Sequence, residues 1–231
     1  MKEGRGLSAG ALKGIAAGLM AVDHAGLFLC GNALWMRAAG RLAFPIFAFF
    51  IAEGARRSRR PGRYLGRLLG LAALSQPAFS RVVSGVWLEL SYLNTLFTLA
   101  LGLLAILWSW RAGSAWPALV LMLAAELLGT DYGAAGVLTV WLFDRLQDGG
   151  PLERTAVPIL AGAGLYCLPA LVFALGEGDW NPVYFIELLA AGAAPLLMLY
   201  NGERGRGGRW FYWFYPGHLL GLLGVGALGG F

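Results

Sequence analysis

Apolar runs of close to twenty residues follow one another along nearly all of this 231-residue chain. A run of that length is what a helix needs to cross a hydrocarbon core roughly 30 Å thick. No water reaches backbone N–H and C=O groups there, so such runs are stable only as helices that satisfy their own hydrogen bonds. Read by their breakers, they predict nine spans at about 12–30, 38–55, 64–80, 93–110, 115–129, 133–146, 155–175, 182–200 and 211–229. The fifth and sixth are short, and Gly129 and Gly133 flank a tight connection, so they read equally as a broken or re-entrant pair. The expectation is a single all-α domain over 1–231, a polytopic integral membrane helical bundle of about nine transmembrane helices.

Charge tests that layout independently. Only 13% of residues are charged and 58% are hydrophobic, whereas soluble domains are about 25% charged. The net charge of +5 invites a nucleic-acid reading, but the basic residues lie in short loops between apolar runs, where the positive-inside bias puts them. No nucleic-acid partner is expected, and membrane lipid is. With the N-terminus inside, 15 of the 18 lysines and arginines fall on inner segments, leaving Arg37, Arg41 and Arg81 outside. The bias predicts a cytoplasmic N-terminus and places the aromatic cluster Trp210 to Tyr215 at the inner interface. Met1 to Arg5 has the charged start of a signal peptide, but no small-x-small site closes the run that follows, so Leu12 to Leu29 reads as a retained first span. Cys30 and Cys167 are far apart and read as small hydrophobes.

Within these runs stand ionisable groups that are costly to place in a bilayer, and function is their default reading. Asp23 and His24 lie inside the first span, and Lys13 precedes His24 by eleven residues. Three helical turns put Lys13 and His24 on one face, about 16 Å apart along the axis. Projected onto depth, His24, Asp23, Arg41, Asn94, Asp131 and Tyr132 fall in the outer half, and Lys13, Glu53 and His218 in the inner half. Arg41 either snorkels outward or pairs with Asp23 or Asp131. Asn94 and Asp131 either cap helices or face His24, where an amide donor suits a developing oxyanion. Tyr215, Pro216 and Gly217 precede His218 and suit either a kink or a cavity wall. The inner loop holds Arg56, Arg57, Arg59, Arg60 and Arg63, which serves topology and attraction to anionic lipid, or binding of nucleotide phosphates. Glu126 and Glu187 have no evident partner.

Five blocks in order resemble the TraX family, whose namesake acetylates the N-terminus of conjugative pilin: Leu12-Lys13-Gly14-Ile15-Ala16 with Asp23-His24-Ala25-Gly26, Gly40-Arg41-Leu42-Ala43-Phe44-Pro45-Ile46-Phe47, Asn94-Thr95-Leu96-Phe97-Thr98-Leu99, Asp131-Tyr132-Gly133-Ala134-Ala135-Gly136 and Tyr215-Pro216-Gly217-His218-Leu219. They run from Leu12 to Leu219. The family is similar to a wider group of membrane acyltransferases that carry a basic residue eleven positions before a histidine in the first span, as Lys13 and His24 do. The resemblance implies an acetyl group given by cytoplasmic acetyl-CoA to an amine or hydroxyl acceptor, a pilin-like peptide or envelope glycan, from a multi-pass protein of the bacterial inner membrane.

These observations yield one expected reaction. His24 acts as general base or carries the acyl group briefly, its unperturbed pKa of about 6.5 suiting proton exchange near neutrality. Asp23 or Asp131 orients it, while Asn94, Arg41 and Tyr132 polarise the thioester carbonyl. Lys13, His218, Tyr215 and the arginines Arg56, Arg57, Arg59 and Arg60 hold the CoA end. No metal is expected, because two histidines on distant spans without an acid cluster make a poor zinc site. Two other classes stay open: a proton-coupled solute transporter, and a non-catalytic pilus or envelope assembly factor.

Overall fold

A computed structural model describes residues 6–206, 208 and 210–229. Among them all regular structure is helical, and two isolated bridges, Leu7 with Tyr200 and Leu93 with Thr130, stand in for sheet. The helices are α1 (Ala9–Phe28), α2 (Leu34–Gly40), α3 (Ala43–Arg57), α4 (Pro61–Ser84), α5 (Thr95–Ala112), α6 (Trp116–Leu127), α7 (Gly133–Arg145), α8 (Pro151–Glu177), a 3₁₀ segment (Pro182–Gly192) running into α9 (Ala193–Met198), and α10 (Trp210–Gly229).

Every apolar run is helical. The second run is bent between α2 and α3, and the eighth is mostly 3₁₀. Four stretches among the described residues are long and apolar enough to cross a membrane: Ala9–Phe28, Leu34–Arg57, Thr95–Ala112 and Pro151–Glu177. The fifth and sixth runs are two short helices of 12 and 13 residues, about 18–20 Å each.

Local chemistry sets the boundaries. Ser8, Asn94 and Asn181 accept from the backbone N–H groups of Ala11, Leu96 and Val183 and so cap α1, α5 and the 3₁₀ segment. Gly85, Gly113 and Gly178 close α4, α5 and α8 in the left-handed conformation.

Without a hydrophobic force between helices in lipid, close packing falls to small residues. Gly40 of α2 lies so near α1 that a β-carbon there would sit 2.3 Å from Asp23 Cβ. Gly40→Ala is therefore expected to displace Asp23 and to cost ~2 kcal/mol, as overpacking does. A lowered thermal unfolding midpoint in detergent checks it.

Contacts sort the charge to two ends. Arg56 at the end of α3 reaches Asp144 at the end of α7, Trp110 at the end of α5 reaches the same carboxylate, and Arg57 approaches Gly202 O. The loop after α9 joins this end by pairing with the start of α1, through Leu7 N–H to Leu199 O and Ala9 N–H to Glu203 O. Lys13, Arg56, Arg57, Arg67 and Arg204, all assigned to inner segments, thus share one end, while Arg37 and Arg41 pair with Asp23 elsewhere. Lys2, Arg5 and Arg209 lie outside the described residues.

That same loop corrects one expected depth. Residues 199–205 climb beside the first turn of α1, where Gly10 N–H donates to Arg204 O, so α10 begins well along α1 rather than level with its start. His24 is fifteen residues into α1 and His218 eight into α10, yet they meet. The offset of seven residues is about 10 Å, and it moves His218 out of the inner half where the sequence placed it.

Candidate active site

His24 and His218 form the centre of the site. His24 Nδ1 lies 2.7 Å from His218 Nε2, and His218 Nδ1 lies 2.9 Å from the carbonyl oxygen of Phe214. A carbonyl only accepts, so His218 Nδ1 carries the hydrogen and, in the neutral ring, Nε2 offers a lone pair. His24 Nδ1–H donates to it. His24 Nε2 is then left with its lone pair, and no protein group among the described residues takes it up. His24 itself is buried and lines a chamber with Asp23, Arg37, Arg41, Tyr92, Thr95, Asp131 and Tyr132.

Neither expected carboxylate orients His24. Adjacent residues on a helix point about 100° apart, and Asp23 turns instead to Arg41 Nη2 at 2.8 Å and Arg37 Nη1 at 2.9 Å. The second of these is an ion pair without hydrogen-bond angles, since Asp23 Oδ1 has no hydrogen-bond partner. Arg41 also donates through Nη1 to Glu187 Oε2 at 3.0 Å and through Nε to Arg37 O at 3.1 Å. It is buried with both acids and pairs inward, not outward. Three of its five N–H groups are committed and two remain.

Asp131 accepts from the hydroxyls of Tyr92 and Thr95. Its position comes from the Leu93–Thr130 bridge, in which Asp131 N–H donates to Leu93 O at 2.9 Å. It does not cap α7. Glu126 of α6 does that, accepting from Ala134 N–H at 2.7 Å. Tyr132 lines the chamber with its ring stacked on Phe44 at 3.9 Å between centroids.

Asn94 is a correction. It is fully buried outside the chamber, with Nδ2 donating to Ala72 O and Gln76 Oε1 and Oδ1 capping α5. Its donors are spent, so it has no amide free for an oxyanion. Asn94→Ala is expected to cost about 2 kcal/mol of stability through the lost cap and the lost Nδ2 bonds to Ala72 O and Gln76 Oε1. Activity per folded molecule should be unchanged, which a melting curve beside a specific-activity assay checks.

Further spaces adjoin the chamber in the direction of the basic end. Met20, Phe47 and Thr95 also line a second cavity, walled by Ile51, Leu68, Leu71, Leu99, Phe211 and Tyr215. Tyr215 therefore sits beside this cavity, edge-on to His218 at 5.6 Å. Lys13, Phe50, Tyr64 and Tyr212 are shared in turn with an open mouth lined by Glu53, Arg57, Arg67 and Arg204. Lys13 stands at this junction, its ammonium 4.7 Å from the Phe50 ring centroid. The three spaces adjoin in series, sharing wall residues: a cationic mouth, an apolar cavity and the chamber that holds His24.

The arginine loop divides. Arg57 lines the mouth, held 2.9 Å from Glu53. Arg56 does not, because Asp144 takes its Nε at 2.8 Å on another side of α3. Arg59 and Arg60 are exposed and line none of the three spaces.

The family model for the TraX protein matches residues 8–226, which include both histidines. The chain belongs to the TraX family. It is 31% identical over 196 residues to a probable fimbrial assembly protein FimC, serogroup H1, of Dichelobacter nodosus, covering 79% of this chain and 62% of that protein. It is 33% identical over 171 residues to the protein TraX of Escherichia coli strain K12, covering 72% of this chain and 66% of that protein. The chain thus spans about two thirds or less of the length of the curated relatives it matches. No solved structure matches it.

Several residues of this TraX-family site escaped the sequence reading. Glu187 stood out as an acid in an apolar run, but its partner Arg41 lies 146 positions away. Arg67 and Arg204 reach the mouth from different elements, and no local pattern marks them. Tyr92 sits in an irregular loop, where neither helical period nor charge draws attention to it.

Proposed function

We propose that this TraX-family protein is a membrane acyltransferase that moves an acetyl group from acetyl-CoA to an amine or hydroxyl acceptor. The observation that carries this is His24 Nε2, left with its lone pair by the His218–Phe214 chain, in a chamber that adjoins an apolar neck and a cationic mouth. A CoA thioester has matching parts: phosphates for Lys13, Arg57, Arg67 and Arg204, and a long thin arm for the neck. An N-terminus in the cytoplasm puts the mouth on the side where acetyl-CoA is made, in keeping with the clustering of basic residues.

In the reaction His24 Nε2 takes a proton from the acceptor N–H or O–H as that nitrogen or oxygen attacks the thioester carbonyl carbon. The C–S bond breaks, and the departing sulfur receives the proton from His24, giving acetylated acceptor and CoA thiol. His218 accepts from Nδ1–H throughout and steadies the imidazolium that forms between the two transfers. The free N–H groups of Arg41 and the Tyr132 hydroxyl are the chamber donors for the carbonyl oxygen. Asp131 has no cationic partner among the described residues, which favours an acceptor that arrives as an ammonium and loses one proton to solvent before reaction.

The mouth supplies the test. Arg67→Ala/Arg204→Ala is expected to raise the KM for acetyl-CoA about tenfold, with kcat little changed, since phosphate contacts far from the reacting carbon bind ground and transition states alike. An unchanged KM removes the mouth from the account.

The name of the FimC relative supports a second reading, a non-catalytic assembly factor. The two separate on His24→Ala, which leaves assembly intact if no chemistry is needed. A transporter reading predicts solute uptake by proteoliposomes without acyl transfer.

A further inference from the structure

A second binding site lies outside the chamber and the spaces adjoining it, on the flank of the bundle. At the basic end a groove runs between α4 and α5, lined by Pro61, Gly62, Leu65, Leu104, Leu107, Trp108, Trp110 and Arg111. Along α5, Leu104, Leu107, Trp108 and Arg111 fall at helical spacing, so one wall passes from leucine to arginine over about 10 Å. The facing wall is the start of α4, where Arg60 supplies no side-chain cap and Gly62 N–H has no partner within the helix. A β-carbon added at Gly62 meets nothing within 4 Å, so the groove stays open there. Trp110 is fixed in place by its indole N–H bond to Asp144 at 2.9 Å.

The charge around the upper end is one-sided. Arg59, Arg60, Arg63 and Arg111 are all exposed, and none forms an ion pair among the described residues, whereas Arg56 and Arg57 are both paired. A groove with cations and a bare N–H at one end, tryptophans at the level of a membrane interface and leucines below matches one kind of molecule.

We propose that the α4/α5 groove binds an anionic glycerophospholipid of the surrounding leaflet, its phosphate at Arg111 and the Gly62 N–H and one acyl chain along Leu65, Leu107 and Leu104. This site is separate from the chamber, neck and mouth and does not depend on the acyltransferase reading.

Native mass spectrometry of the full chain in detergent, titrated with phosphatidylglycerol or phosphatidylcholine, tests it. Wild type is expected to retain one phosphatidylglycerol in preference to phosphatidylcholine. Arg111→Ala should weaken that retention about fivefold, the equivalent of one arginine at a lipid surface. Leu107→Trp, which fills the groove and leaves the charge alone, should weaken it as well, and Leu65→Trp serves if that variant does not fold. Arg81→Ala, an exposed arginine in the last turn of α4, at the other end of the helix from the groove, should leave it unchanged. Equal retention of the two lipids overturns the proposal. So does a loss confined to Arg111→Ala with both tryptophan variants unaffected, because that pattern means headgroup capture by surface charge alone.

Discussion

His24→Ala is expected to lower the rate of acetyl transfer by two orders of magnitude or more, the usual share of a general base, while leaving acetyl-CoA binding close to wild type. The separation follows from the geometry: the cationic mouth and the neck lie beyond His24 and make no use of its ring. His218 should tell how the base is held. His218→Ala removes the acceptor for His24 Nδ1–H and frees the ring to take the other tautomer, so kcat is expected to fall roughly tenfold or more with KM unmoved. His218→Gln, whose carbonyl can still accept that hydrogen, should recover part of the loss. A role for His218 in packing alone would lower stability without this rescue. Steady-state kinetics with saturating acceptor, beside a thermal shift assay for donor binding, reads all three variants.

Arg41→Ala should be the most destabilising change in the site. Arg41 is buried between Asp23 and Glu187 at 2.8 and 3.0 Å, and its removal strands two carboxylates, with only Arg37 left near one of them. Breaking a buried ion pair from one side costs on the order of 3–5 kcal/mol. The expected outcome is poor yield of folded protein and a large drop in unfolding temperature. Arg41→Ala/Glu187→Gln should recover part of it, since the second change removes one of the stranded charges. Wild-type stability in the single variant would mean the network carries little weight. Because Glu187 sits on the 3₁₀ segment and Asp23 on α1, the same network ties an irregular stretch of chain to the helix that bears His24.

Much of the architecture could be read from the chain because it depends on local chemistry. Apolar runs and their breakers are local, so the predicted apolar runs are helical, and several of the loop arginines meet at one end. Transmembrane length is legible in the same way, and it distinguishes four stretches from the short α6 and α7.

The site was legible only in its residue types. His24, Asp23, Arg41, Asp131 and Tyr132 do share one chamber, yet their pairings depend on offsets between helices that no local pattern records. His218 meets His24 because residues 199–205 climb beside α1, a tertiary contact of backbone with backbone. Asn94 looked available because its alternative partner, Gln76, lies 18 residues earlier on a neighbouring helix. Arg56 looked like its neighbour Arg57, but successive positions on α3 face different surroundings, Asp144 for one and the mouth for the other.

The measurement closest to the central claim is release of CoA thiol from acetyl-CoA by the purified protein in proteoliposomes, with a short peptide bearing a free N-terminus as acceptor. Acetylation of the peptide is followed by mass in the same samples. Saturable thiol release matched by peptide acetylation is expected, both lost in His24→Ala and both needing higher acetyl-CoA in Arg67→Ala/Arg204→Ala. Absence of acetyl-CoA binding by the wild-type protein, or thiol release and acetylation that persist undiminished in His24→Ala, would contradict it.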